Sequence, residues 1–191
     1  MKLTRKKLTE SRLPIAFEDV SLEQFIGDPT VLKHCKRYIE KAEVALNDGV
    51  SLLLIGPPES GKTFFAALVL KTLMALDYSC RYYTIEELTN MAFDNTCNFT
   101  EKMTDHHFTV IDGIDDTVSN GNVRAFSFFL RIKKDNKLPM IMCSGHASTT
   151  LFQQRMMAGR KMFLDKYVKV LECAMPDSNE SINYKKKVFG C

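Results

Sequence analysis

No stretch of this chain is apolar for the roughly 20 residues that a helix needs to span a bilayer. The first residues are basic and lack an apolar core segment, which argues against a signal peptide. None of the six cysteines (35, 80, 97, 143, 173 and 191) forms a C-x-x-C pair. That spacing excludes the usual zinc ribbons and fits reduced thiols in a cytoplasmic protein. Strong charge is lacking too: 26 Lys+Arg stand against 23 Asp+Glu, so a net charge of +3 neither demands nor excludes a nucleic-acid partner, and local patches decide. No internal repeat or low-complexity tract interrupts the chain. What remains is 191 residues, 45% of them hydrophobic, enough to bury the core of one compact domain.

Strand and helix patterns alternate along that domain. Residues 1–13, with Lys2, Arg5, Lys6, Lys7 and Arg12, read as a mobile basic arm or a solvated tail. Residues 13–24 are irregular and expected to pack on the domain. Val31, Leu32, Cys35, Tyr38, Ile39, Ala42 and Leu46 follow helical spacing, with Asp28 or Thr30 as the cap and Asn47-Asp48-Gly49 as the stop. Strands are expected at 50–55, 81–84, 108–111, 140–143 and 168–172. Helices are expected at 61–76, 85–92, 122–136 and 149–159. Thr84 with Glu87 three residues on is a capping-box pattern. Such alternation implies a parallel sheet with helices on both faces.

Directly after the apolar run Ser51–Ile55 comes Gly56-Pro57-Pro58-Glu59-Ser60-Gly61-Lys62-Thr63. The Gly-x4-Gly-Lys-Thr spacing, between a strand and a helix, is the phosphate-binding loop. Its glycines let backbone N–H groups approach phosphate, and the next helix points its N-terminus at the anion. Lys62 supplies a positive charge for the β- and γ-phosphates of ATP, and the Thr63 hydroxyl is a ligand for Mg²⁺. The apolar strand 108–111 runs into Asp112. A carboxylate there is placed to hold Mg²⁺ with Thr63, at the strand ends where open α/β sheets bind ligands.

The order of these parts resembles the AAA+ ATPases, and within them the DnaC/DnaI helicase-loader and IstB transposition-ATPase group. The features that carry the likeness are Pro57-Pro58 in the loop, Ile111-Asp112, the run Lys137-Leu138-Pro139-Met140-Ile141-Met142-Cys143-Ser144, and Leu151-Phe152-Gln153-Gln154-Arg155-Met156-Met157. The lead-in Leu13-Pro14-Ile15-Ala16-Phe17 through Phe25 adds to it. The resemblance implies a P-loop NTPase fold of about five parallel strands sandwiched by helices, over residues 14–191, with a reduced C-terminal lid and a short tail. It implies ATP-gated self-assembly into a homo-oligomer, a replicative helicase as partner and single-stranded DNA as a further one. Arg155 becomes the arginine finger offered to a neighbouring subunit, and Ser144, with Cys143 second, the polar sensor beside the γ-phosphate. Arg160 and Lys161 fall where a late basic sensor is sought.

Three departures matter. Gly113 follows Asp112 where the group usually has a water-activating Glu, so nucleotide binding with slow hydrolysis is expected; Asp115 and Asp116 lie nearby. Glu59 replaces a loop glycine. Few residues precede the match, so helicase binding rests on analogy. The segment Glu86–His107, which in loaders helps contact single strands, is acidic here. Phe93 and Phe99 read as base-stacking or as core. Better basic candidates for DNA are residues 1–13, Arg131-Ile132-Lys133-Lys134 and Lys185-Lys186-Lys187, each also readable as a solvated face. Two further readings stay open: an IstB-like transposition ATPase, and a nucleotide-gated interaction protein with little catalysis. A small-molecule P-loop kinase is disfavoured by the lack of an arginine-rich lid.

Overall fold

The centre of the domain is a sheet whose inner strands have no polar face. The computed structural model describes residues 3–21, 29–94, 96, 98–114, 119–156 and 168–173. Its strands are β1 (Ser51–Ile55), β2 (Cys80–Thr84), β3 (Phe108–Ile114), β4 (Met140–Ser144) and β5 (Val168–Glu172). All pair in parallel, in the order β2-β3-β4-β1-β5. β1 and β4, in the middle, are buried at every position, whereas edge strand β5 exposes Lys169 and Glu172. Helices covering both faces leave a central parallel strand no solvated side, so it must be apolar throughout.

The helices are α1 (Arg5–Ser11), α2 (Pro29–Glu40), α3 (Ala42–Asp48), α4 (Lys62–Ala75), α5 (Ile85–Phe93), α6 (Phe99–Thr104), α7 (Asn120–Asp135) and α8 (Thr149–Met156), with a 3-10 turn at Ile15–Phe17. Strand alternation sorts the core into two layers. Leu52, Leu54, Val110, Ile141 and Cys143 face α2 and α4, while Leu53, Ile55, Ile111, Met140 and Met142 face α5 to α8. α4 is buried along most of its length, because Phe17, Val20 and Leu32 close over Phe64 and Leu68 on its outer side. No helix among the described residues is long and apolar enough to cross a membrane.

Most expected elements are present, and the differences have local causes. The single helix expected over 31–46 is two, because the chain leaves helical geometry at Lys41 (φ −107°, ψ 26°). Thr30 lies inside α2, which opens on Pro29; proline suits a first helical position because the missing N–H has no partner to lose. Asp28 is outside the described residues. The capping box at Thr84 and Glu87 is formed, each side chain accepting from the other's backbone N–H. Between α5 and β3, where the sequence was ambiguous, Asn98 caps the short helix α6.

The expectation of a mobile arm is corrected. Thr4 caps α1, Leu3 and Leu8 pack against the first core layer, and Ser11 and Leu13 are buried. Lys7 pairs with Asp77 at 2.6 Å, and the Arg81 guanidinium donates to the Glu10 carbonyl. Exposed ion pairs of this kind contribute little, so it is the leucines that dock the segment. Its basic composition concealed them.

The basic run at 131–134 is likewise not a continuous surface. Lys133 is fully buried; its ammonium donates to the Thr109 hydroxyl at 2.7 Å and lies 5.8 Å from the Phe129 ring centre. Burial pushes it down to about 7. Between that value and the ordinary lysine range near 10.4, the unfolded chain binds a proton that the folded chain does not, so stability rises with pH across this window. Below about 7 both states are charged, and the folded state bears the full cost of burial. Lys133→Met removes that cost but leaves the Thr109 hydroxyl unmatched, a loss of about 1–3 kcal/mol. We expect the variant to be more stable than wild type at pH 6.5, by on the order of 2 kcal/mol, with the advantage shrinking towards pH 9.5. Urea midpoints at the two pH values measure this.

Candidate functional site

The site begins where β1 stops. Gly56 N–H donates to the Ser144 carbonyl at 3.2 Å, and Cys173 N–H donates to the Ile55 carbonyl at 2.7 Å, so the loop leaves the sheet pinned between the ends of β4 and β5. A Cβ on Gly56 would lie 2.2 Å from the Cys173 carbonyl oxygen, a contact that no side chain survives. Glu59 has φ 64°, in the left-handed region. That explains why the related loops carry glycine at this place: an L side chain there costs roughly 1–2 kcal/mol. The Glu59 side chain is exposed. Gly61 (φ 82°) is the N-cap of α4 and offers no side-chain cap, so the N–H groups of the first helical turn face the loop interior.

Lys62 folds back over this loop. Its ammonium donates to the Pro57 carbonyl at 2.5 Å and to the Ser60 hydroxyl at 3.2 Å. Burial lowers its pKa, with Cys143, Cys173 and Asp112 acting in the opposite direction. One residue on, the Thr63 hydroxyl donates to Asp112 Oδ2 at 2.9 Å. This contact joins the phosphate loop to β3 across 49 residues of sequence.

Asp112 is held from three sides. Tyr82 on β2 donates its hydroxyl to the same Oδ2 at 2.5 Å, and Gly113 N–H donates to Oδ1 at 2.8 Å. Burial, then Asp112, push the Tyr82 hydroxyl pKa up, so it stays protonated and stays a donor. Cys143 lies on the same side of the sheet, with its Sγ 3.6 Å from the Lys62 carbonyl. Its burial raises the thiol pKa far above the usual value.

β3 does not end at Asp112, as the sequence suggested, but runs on to Ile114 through an irregularity. Ile111 pairs with Met142 and Ile114 with Ser144, so two residues of β3 oppose one of β4. Gly113 takes φ 77° at this bulge, a conformation that glycine adopts without penalty. The missing glutamate is therefore also a backbone matter. A Glu at 113 would find room, since its Cβ would sit 3.8 Å from Ile85 Cγ2, but in a left-handed conformation.

The structure thus brings Lys62, Thr63 and Asp112 together and does not bring Ser144 to them. Ser144 is fully buried, and its hydroxyl is paired with His146 Nδ1 at 2.7 Å. The His146 ring packs edge-on against Phe152, in the second core layer. Arg155 is exposed in the last turn of α8. Asp115, Asp116, Arg160, Lys161, Lys185–Lys187 and the rest of residues 157–167 and 174–191 lie outside the described residues, so the reduced C-terminal lid is not seen among them.

Sequence reasoning missed Tyr82 and His146. Tyr82 sits opposite Val110, two rungs before the Thr84–Asp112 pair, and reaches Asp112 diagonally. Only the strand order makes that signal readable. For His146 the spacing to Ser144 carries no recognisable pattern.

Thr63 and Asp112 are hard oxygen donors of the kind Mg²⁺ takes, and the loop backbone with the α4 N-terminus fits a phosphate chain. No protein-family model matches the chain, and no curated protein matches its sequence. Solved structures do. The DnaC helicase loader superposes with a TM-score of 0.70 at 13% identity, over 90% of this chain and 100% of that one. DnaI gives 0.61 at 19% identity, over 92% and 93%. The replication initiator DnaA bound to AMPPCP and single-stranded DNA gives 0.64 at 16%, over 93% of this chain and 56% of that one. At such identities the likeness is one of fold, and the fold of this chain is that of the AAA+ P-loop NTPases, in the form taken by DnaC and DnaI.

Proposed function

We propose that this chain is an ATP-binding accessory protein of DNA replication, of the helicase-loader type, which uses nucleotide to gate its own assembly and hydrolyses it slowly. The observation that carries the reading is the Thr63–Asp112 hydrogen bond at 2.9 Å, at the mouth of the phosphate loop. Gly56, Pro57, Pro58, Glu59, Ser60 and Gly61 wrap the phosphates, and Lys62 exchanges its loop contacts for the β- and γ-phosphate oxygens. Thr63 and Asp112 would hold Mg²⁺, which neutralises phosphate charge. Arg155, exposed near the end of α8, is offered to the nucleotide of a neighbouring copy, where its planar cation stabilises charge on the transferring phosphoryl group. A sensor role for Ser144 requires its hydroxyl to exchange His146 for nucleotide, and Cys143, on the Asp112 side, competes for that role.

Replication is favoured over other AAA+ tasks because the superposing proteins include a helicase loader and an initiator bound to a nucleotide and single-stranded DNA. A replicative helicase and single-stranded DNA are the corresponding partners proposed here. One observation favours a second reading, a nucleotide-gated interaction protein with little catalysis. Gly113 provides no carboxylate to activate water, and its φ of 77° makes a carboxylate there costly. The IstB-like transposition reading shares the same chemistry and differs only in what is captured.

Lys62→Ala is expected to weaken ATP binding by at least about tenfold, the loss of one charge-assisted contact, as measured by calorimetric titration. Wild-type affinity in that variant would contradict the assignment. Turnover of wild type is expected below about 1 s⁻¹. In Arg155→Ala it should fall further at concentrations where the protein assembles, with nucleotide affinity in dilute solution unchanged. A coupled phosphate-release assay beside the titration distinguishes these effects, and equal loss of both would count against the finger.

A further inference from the structure

The hydroxyl of Tyr82 lies at the centre of the site, yet no part of the reading above uses it. It is the phenol of a ring only 4% exposed, packed in the first core layer beside Val110 and α4. Among the described residues it donates to Asp112 Oδ2, at 2.5 Å, the same oxygen that accepts Thr63 at 2.9 Å. We infer that Tyr82 is a positioning residue for the magnesium–nucleotide centre: its hydroxyl fixes the Asp112 carboxylate so that Thr63 presents its oxygen to the metal. This deepens the proposed function and rests on its assignment of Thr63 and Asp112.

The argument is one of degrees of freedom. A carboxylate can rotate about χ2, and this one lies within the bulged backbone between Ile111 and Ile114. Gly113 N–H restrains Oδ1, but that contact is local to the bulge and moves with it. Tyr82 is a restraint from outside β3, carried on a neighbouring strand in continuous parallel register from Cys80–Phe108 to Thr84–Asp112. With Tyr82 and Gly113 each occupying one oxygen, the carboxylate plane is set by two strands. The Thr63 hydroxyl then turns its hydrogen to Oδ2, which leaves its lone pairs directed away from Asp112. Without the phenol, Asp112 keeps Thr63, Gly113 N–H and the Cys143 thiol beside it but loses its restraint from β2, which frees the Thr63–Asp112 pair to turn. A buried tyrosine that merely filled space would need no such partner: phenylalanine, with the same ring, would serve as well.

The test is Tyr82→Phe, which keeps the ring and removes the donor. Binding of a fluorescent ATP analogue is measured in EDTA and across a Mg²⁺ titration. Site-specific 3-fluorotyrosine at position 82, which retains a donor of the same shape, is the second arm. We expect affinity in EDTA to stay within about twofold of wild type in both, since the phosphate loop is untouched. The Mg²⁺ midpoint should rise by about tenfold or more in Tyr82→Phe, as fits the loss of a hydrogen bond to a charged group, and hold near wild type in the fluorotyrosine protein. A midpoint unchanged in Tyr82→Phe, or a fluorotyrosine protein as impaired as the phenylalanine one, overturns the role of Tyr82. Wild-type binding that ignores Mg²⁺ altogether overturns instead the assignment of Thr63 and Asp112 on which it rests.

Discussion

The hydrogen bond from Thr63 to Asp112 is the contact on which the rest of this architecture converges. It joins the first residues of α4 to the far part of β3, although β4 lies between β1 and β3 in the sheet. The join is possible because α4 reaches beyond its own strand. Its residues Phe65, Ala66, Val69 and Leu70 share a core layer with Val110, Ile141 and Tyr82, so the helix crosses β4 and β3 and carries Thr63 to the carboxylate. Burying that layer, at about 25 cal/mol per Å² of apolar surface, stabilises the crossing far more than one hydrogen bond does. Packing thus sets the geometry, and the polar pair uses it.

Around this pair the backbone is left-handed at both departures from the pattern of the group that the sequence resembles. Glu59 stands at φ 64° in the loop and Gly113 at φ 77° in the bulge. The two differ in consequence. Glu59 bears a steric cost that glycine would avoid, and the fixed ends of the loop hold it there. Gly113 bears none; its N–H holds Asp112 Oδ1, and the residue itself supplies no acid.

Legibility from sequence followed the range of the interactions. The capping box at Thr84 and Glu87 rests on contacts within a few residues and is formed, and a strand covers 168–172, paired with the distant β1. Asp112 was legible because an apolar run ending in acid, downstream of a phosphate loop, has a recognised meaning. Long-range facts were not. The docking of α1 depends on where Leu3 and Leu8 meet a distant core, and the burial of Lys133 on Thr109 lying opposite it. Tyr82 requires the order of the strands, and the Gly113 bulge requires the register between β3 and β4. The placement of Ser144 shows the same limit, since its pairing with His146 depends on how the chain turns after β4.

The most direct test is a double-mutant cycle on Thr63→Ala and Asp112→Asn, read as the ratio of nucleotide affinity with Mg²⁺ to that in EDTA. If the two side chains form one metal centre, either substitution alone removes most of the Mg²⁺ enhancement and the second adds little. The account then predicts a coupling of at least about 1 kcal/mol. Additive losses would show that the two act independently, and would contradict the site as described.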